Sequence, residues 1–145
     1  MAVGIDAYGL KPLGLSPLAL LEWAKAHGAE GVQFSEPPAD ADDASFLRDL
    51  GQAAAGLELY LEWGGGQHIP FDPATRRPID IAAVNRKAAG QAAALGLRAI
   101  RSCSGGLMRW RPDDPPVDDY LRAMAAALRS QMPMLADLGV TLAIE

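Results

Sequence analysis

The chain repeats one pattern of apolar and polar positions four times: a stretch with helical spacing, a glycine, then a short apolar run. The glycines are Gly28, Gly56, Gly96 and Gly139, and the runs after them cover 31–35, 57–61, 97–101 and 140–144. A fifth run, 3–8, opens the chain. Glycine just past a helix end supplies the left-handed cap without a Cβ penalty. A short apolar run beside such a cap reads as a buried strand.

The helical stretches carry start signals. Ser16 before Pro17 places an N-cap ahead of a proline at the first helical position. Asp42 or Asp43 caps a second helix whose apolar positions are Phe46, Leu47, Leu50 and Ala54. Asp80 caps a third, with Ile81, Val84, Ala88, Ala92 and Leu95 on one face. Leu121, Met124, Leu128, Met132 and Leu135 mark a fourth. Pro133 inside it predicts a kink, because it removes a backbone donor and crowds Arg129.

The order β-α-β-α-β-α-β-α-β predicts an α/β fold with a parallel sheet. Two architectures satisfy it. A doubly wound open sheet closes with five strands and normally finishes on a helix. A (β/α)8 TIM barrel takes about 250 residues, so this chain is roughly three fifths of one. Run 140–144 is followed by no helix, which favours a single domain, 1–145, that is a barrel truncated to about five strands and four helices.

Composition narrows the classes of function. Half of the 145 residues are apolar, enough to fill a core and to exclude wholesale disorder. The single cysteine, Cys103, excludes an internal disulfide framework and a paired-cysteine zinc site. A net charge of −5 argues against a nucleic-acid partner and against an anionic membrane. No stretch is long and apolar enough for a membrane span and no basic leader precedes the first strand, so a cytoplasmic location is expected.

Chemistry in either fold sits after the strands. Two such loops are long, 63–72 with glycines at 64–66, and 102–112. The triple glycine lets backbone approach a ligand or makes a flexible turn. Neither loop is a phosphate-binding P-loop, and no Gly-x-Gly-x-x-Gly follows a strand, so a nucleotide-binding reading loses its support. Glu145, ending the fifth run, ligates a hard divalent metal or moves a proton, or is simply a charged, frayed end. His68 is a ligand, an acid–base group or a solvated loop residue. His27, before the cap glycine, reads as structural. Cys103 reads as small and half-buried. Arg101, Arg109 and Arg111 clamp an anion or hydroxyls, or pair with Asp113 and Asp114. Trp63 and Trp110 stack on a sugar, seal a pocket against water, or simply pack over the rim. Asp6 and Tyr8 close the first strand, and Glu36 follows the second.

Taken together, segments 3–8, 26–32, 64–66, 94–101 and 134–145 resemble the xylose-isomerase-like TIM-barrel superfamily, in its sugar phosphate isomerase/epimerase branch. The most specific part is the ending Gly-Val-Thr-Leu-Ala-Ile-Glu, 139–145, similar to that family's fifth strand. The resemblance implies that Glu145 is a divalent-metal ligand (Mn²⁺, Mg²⁺ or Co²⁺) and an acid–base carboxylate. It makes His68 substrate-proximal, and Trp110, Arg101 and Tyr8 further substrate contacts. Gln33 departs from the pattern, since relatives often carry Glu there. The implied chemistry is proton transfer next to the carbonyl of a sugar or polyol, with the other metal ligands on later strands and the chain by itself inactive. Inosose dehydration and hydroxypyruvate isomerisation belong to similar platforms, and a non-catalytic binding protein on the same scaffold is the alternative class. An open section of barrel exposes strand edges and an apolar face, so self-association is expected.

Overall fold

A computed structural model describes residues 2–72, 74–103, 111, 114 and 116–144 of the chain. Its strands are β1 (Gly4–Asp6), β2 (Gly31–Phe34), β3 (Tyr60–Gln67), β4 (Ala99–Cys103) and β5 (Thr141–Ile144). Its α-helices are α1 (Pro17–Ala26), α2 (Ala44–Gly56), α3 (Ile81–Ala94) and α4 (Val117–Asp137). Short 3₁₀ helices, Ala7–Leu13 and Ala39–Asp42, follow β1 and β2.

The helix starts are built as their sequences imply. The Ser16 hydroxyl accepts from the Ala19 N–H at 3.3 Å, ahead of Pro17. Asp43, rather than Asp42, caps α2 through the N–H groups of Ser45 and Phe46. Asp80 caps α3 through those of Ala82 and Ala83. Gly28, Gly96 and Gly139 take positive φ values of 80°, 78° and 65° after their helices. Gly56 does not: it is the last residue of α2, and Glu58 adopts the left-handed conformation instead, at φ 55°. Pro133 lies inside an unbroken α4.

The sheet order decides between the two architectures. All pairs are parallel and the strands run β1-β2-β3-β4-β5, each beside its predecessor. A doubly wound sheet reverses order at a switch point and buries its first strand in the middle. Here β1 and β5 are the two edges, and every crossover steps the same way. Right-handed crossovers then set all helices on one face, and α1 packs on α2, α2 on α3 and α3 on α4 in series. That is barrel order.

Period-two alternation assigns each strand residue to one face of the sheet. Val32, Phe34, Trp63 and Ile100 lie under the helices, against Leu21 and Ala24 of α1, Leu50 of α2 and Ala89 and Ala92 of α3. Phe34, Trp63 and Ile100 stand in register across three strands. The Trp63 indole N–H donates to Gln91 Oε1 at 3.3 Å, and the Gln91 amide donates to the Ala41 carbonyl at 3.0 Å, so the buried polar atoms are satisfied. Trp63 is 1% exposed on the helix side and is no sugar-stacking platform.

The other face, called open below, is largely uncovered. At the N-terminal end Tyr60 lies across Gly4 and Gly31, each of which would drive a Cβ into its ring or hydroxyl. At the other end the sequence-based boundary needs correction. β3 begins at Tyr60 and runs through 64–66, so the triple glycine is strand rather than loop. A Cβ on Gly64 would collide with the Ser35 carbonyl, and one on Gly66 would sit 2.9 Å from the Arg101 carbonyl. Gly65 has φ 82° where the β3–β4 register shifts. These glycines are required by neighbouring backbone, as in a bulge.

Gly64→Ala is therefore expected to cost about 2–3 kcal/mol of stability. Gly90→Ala, exposed within α3 with open space around it, is expected to gain about 0.5–1 kcal/mol. Urea unfolding of the two variants beside the parent chain checks the contrast.

Candidate functional site

Parallel order brings the C-terminal ends of all the strands to one rim. On the open face of that rim, β1 ends in Asp6, β2 is followed by Ser35, and β4 carries Arg101. Asp6 and Gln33 are register partners. The Ser35 hydroxyl donates to Asp6 Oδ2 at 2.8 Å and accepts from Gln33 Nε2 at 2.7 Å and from Arg101 Nη1 at 3.2 Å. Gln33 Nε2 also reaches Asp6 Oδ2 at 3.1 Å, and Asp6 Oδ1 takes the Tyr8 N–H at 3.0 Å. One donor and two acceptor positions are all a serine hydroxyl has, so Ser35 is fully engaged.

Asp6 is held in its ionised form. Burial raises its pKa, but the Tyr8 N–H, the Ser35 hydroxyl, the Gln33 amide and the Arg101 charge together outweigh burial and hold it below the ordinary value. The Gln33 amide gives Asp6 a donor that an ionised carboxylate in its place would lack. Next to this cluster an open cavity of about 480 Å³ lies along β3, β4 and β5, lined by Glu62, Arg101, Thr141 and Ala143 among others.

His68 lies just past β3 and is buried, 6% exposed. It is not a solvated loop residue. Its Nδ1 is 2.7 Å from the hydroxyl of Ser102, itself fully buried. The backbone before it is clamped from the helix side. Asn85 of α3 accepts from the Gln67 N–H and donates to the Gln67 carbonyl, both at 2.7 Å, and donates to Gln131 Oε1 of α4 at 2.6 Å. Burial disfavours the imidazolium and pushes the His68 pKa below its ordinary value.

Other candidates fall elsewhere. Tyr8 is 57% exposed, with the Lys11 ammonium 4.5 Å from its ring centroid. Lys11 also pairs with Glu36, so Tyr8, Lys11 and Glu36 border a separate groove between the turns after β1 and β2. His27 caps α1, stacked on Trp23 at 3.9 Å, a structural placement. The expected partner of Asp114 changes: its carboxylate holds the Arg76 guanidinium at 3.2 Å, and the Arg111 backbone N–H at 2.7 Å, in place of an Arg111 side-chain pair. Trp110, Arg109, Asp113 and Glu145 lie outside the described residues, as does the Cys103 side chain. Among the described residues no three of His, Cys, Asp and Glu come together as a metal cage, so those residues do not by themselves fit a divalent ion. Nor is any described helix long and apolar enough to cross a membrane.

No protein-family model matches the chain, and no curated protein matches it in sequence. Its structure does match solved ones. Protein SMc04130 from Sinorhizobium meliloti 1021 superposes with a TM-score of 0.68 at 23% identity, over 99% of this chain and 50% of that one. A D-psicose 3-epimerase with D-tagatose, from Clostridium cellulolyticum H10, gives 0.73 at 13% identity, over 98% and 51%. A xylose isomerase domain protein from Planctomyces limnophilus gives 0.65 at 16%, over 99% and 53%. The fold is that of the xylose isomerase-like TIM barrels. The chain spans about half the length of these barrels, and the Asp6–Gln33–Ser35–Arg101 cluster then lies on the side of the sheet that a closed barrel turns inward.

The neighbours could not have been read from spacing alone. Gln33 and Ser35 show no motif, and only the pairing of β1 with β2 brings them to Asp6, 27 and 29 residues earlier. Lowering pH should expose the cost of burying His68. Its folded pKa lies below the unfolded value, so its contribution is fully present above about pH 6.5 and is lost as pH falls through the folded value. Urea unfolding between about pH 7 and pH 5 is expected to show this loss, reduced in His68→Gln. Equal pH slopes in both proteins would contradict the assignment.

Proposed function

We propose that this chain is part of a metal-dependent sugar isomerase or epimerase that moves a proton next to a carbonyl. The observation that carries the reading is the unreversed parallel order, which gathers Asp6, Ser35, His68 and Arg101 at one rim. It is supported by structural likeness to epimerases solved with D-fructose, D-tagatose and D-allulose. Glu145, next after β5, is the proposed carboxylate: a ligand to Mn²⁺, Mg²⁺ or Co²⁺ and an acid–base group, with the remaining ligands outside the described residues. A divalent ion at such a site polarises a carbonyl and its neighbouring hydroxyl. Arg101 and Trp110 are proposed to contact the substrate and the buried His68 to lie near it, while Tyr8 stands in the separate groove. The compartment proposed is the cytoplasm.

The protein made from the whole reading frame that carries this chain, given Mn²⁺ and a panel of ketohexoses, inososes and hydroxypyruvate, tests the reading by chromatography of the products. Turnover of one of them is expected, with Glu145→Gln lowering it at least about a hundredfold. No turnover on any of them sinks the proposal.

The 145-residue chain by itself is proposed to be inactive and to self-associate. A groove of about 370 Å³ between α4 and β5 is lined by Leu128, Leu135, Leu142 and Ile144, with Met132 65% exposed beside it. β5 has no second partner strand among the described residues. Light scattering should return a mass above 15.3 kDa, whereas a monodisperse monomer contradicts the expectation.

A further inference from the structure

Within the rim cluster the orientation of one amide is settled by its partners. Gln33 Nε2 is within hydrogen-bond distance of both Asp6 Oδ2 and Ser35 Oγ. An ionised carboxylate only accepts, so the amino end of the amide must face it, and the reversed amide would set oxygen against oxygen. The Ser35 hydroxyl proton is committed to the same carboxylate oxygen, and its remaining acceptor capacity is taken by Gln33 and Arg101. Every polar side-chain atom of the triangle thus has a partner, with one exception. Gln33 Oε1 has no hydrogen-bond partner among the described residues and is not sealed from solvent.

Gln33 alternates with Val32 and Phe34, which are buried under the helices, so it projects from the opposite, open face. Its own residue is only half-buried. The charged groups facing it are Asp6 of β1, its register partner Glu62 of β3, and Arg101 of β4. A carbonyl oxygen held rigidly at such a place is an acceptor waiting for a donor.

We infer that Gln33 is a specificity-determining residue: its side-chain oxygen, aimed by Asp6 and Ser35, accepts a hydroxyl of a sugar or polyol bound on the open face. Asp6 and Ser35 are positioning residues in this assignment. It rests on the sugar-binding reading above and adds to it the residue that reads one hydroxyl.

The test uses D-fructose as the probe, titrated into the protein made from the whole reading frame and followed by amide chemical shifts. Gln33→Met keeps the length of the side chain and removes the acceptor, and is expected to weaken binding about tenfold while the spectrum stays native. Gln33→Glu gives a readout that a packing role would not move. At neutral pH its carboxylate repels Asp6 and binding is weak. Repulsion by Asp6 also raises the pKa of the introduced carboxyl. As pH falls towards about 5 that carboxyl protonates, donates to Asp6 as the amide did, and presents its carbonyl oxygen again. Binding by this variant is therefore expected to recover on acidification, whereas the parent protein gains no affinity. Parent-like binding by Gln33→Met, or a Gln33→Glu variant with no recovery, overturns the assignment and leaves the sugar-binding reading in place. A protein from the whole reading frame that binds neither D-fructose nor any other ketose or polyol overturns that reading, and this inference with it.

Discussion

β3 passes between β2 and β4 at a point where the sheet leaves no room for side chains. Gly64 abuts the backbone of Phe34 and Ser35, and Gly66 abuts that of Arg101. Adjacent strands are about 4.8 Å apart, so β2 and β4 are separated by roughly 10 Å across β3. An arginine on β4 spans that distance only in extended form and only over a strand with nothing standing on it. Arg101 does so, reaching Ser35, 66 residues earlier in the chain. The glycine run is thus both a packing requirement and the clearing that lets three strands share one polar cluster.

β3 is restrained from its other side by a second polar system. Asn85 bonds both backbone groups of Gln67 and hands its remaining N–H to Gln131, joining α3 and α4 to the end of the strand. These side chains are at most 2% exposed, and such groups are costly when partnerless but rigid when satisfied. Ser102 then holds His68 from β4. The β3 end is therefore fixed by β4 in the sheet, by Asn85 outside it and by close backbone contact with β2. A rim built this way places Arg101 from within β4 and holds Ser35 and His68 one residue past their strands.

Much of this fold is legible from local signals. Ser16-Pro17, Asp80 and the helical spacing in α2, α3 and α4 are decided within a few residues, and the structure follows them. The strand limits are less legible: 57–61 is apolar, but the 3₁₀-like exit from α2 and the positive φ of Glu58 delay β3 until Tyr60. Glycines at 64–66 read locally as a loop because their reason is tertiary contact, absent from any local pattern. Likewise His68 has its partner 34 residues on at Ser102, and Gln33 has its at Asp6, so neither burial nor network shows in spacing. Arg101 and Asp6 are within reach, being polar residues at the ends of apolar runs, whereas Gln33 sits in the middle of one.

The same sheet that gathers the polar cluster also divides the chain's aromatic and charged residues between two environments. Glu62 and Trp63 are adjacent, yet one faces the open side and the other is sealed beneath α3 against Gln91. Arg101 and Ser102 divide in the same way, the first toward Ser35 and the second into burial with His68. With a side-chain period of two, a slip of one residue would exchange these sets, burying Arg101 and Glu62 and exposing Trp63 and Ile100. The apolar residues under the helices hold the register against that exchange. Stability and chemistry are therefore set by one choice, since the packing of Phe34, Trp63 and Ile100 on the helix side is what turns Gln33 and Arg101 toward the open face.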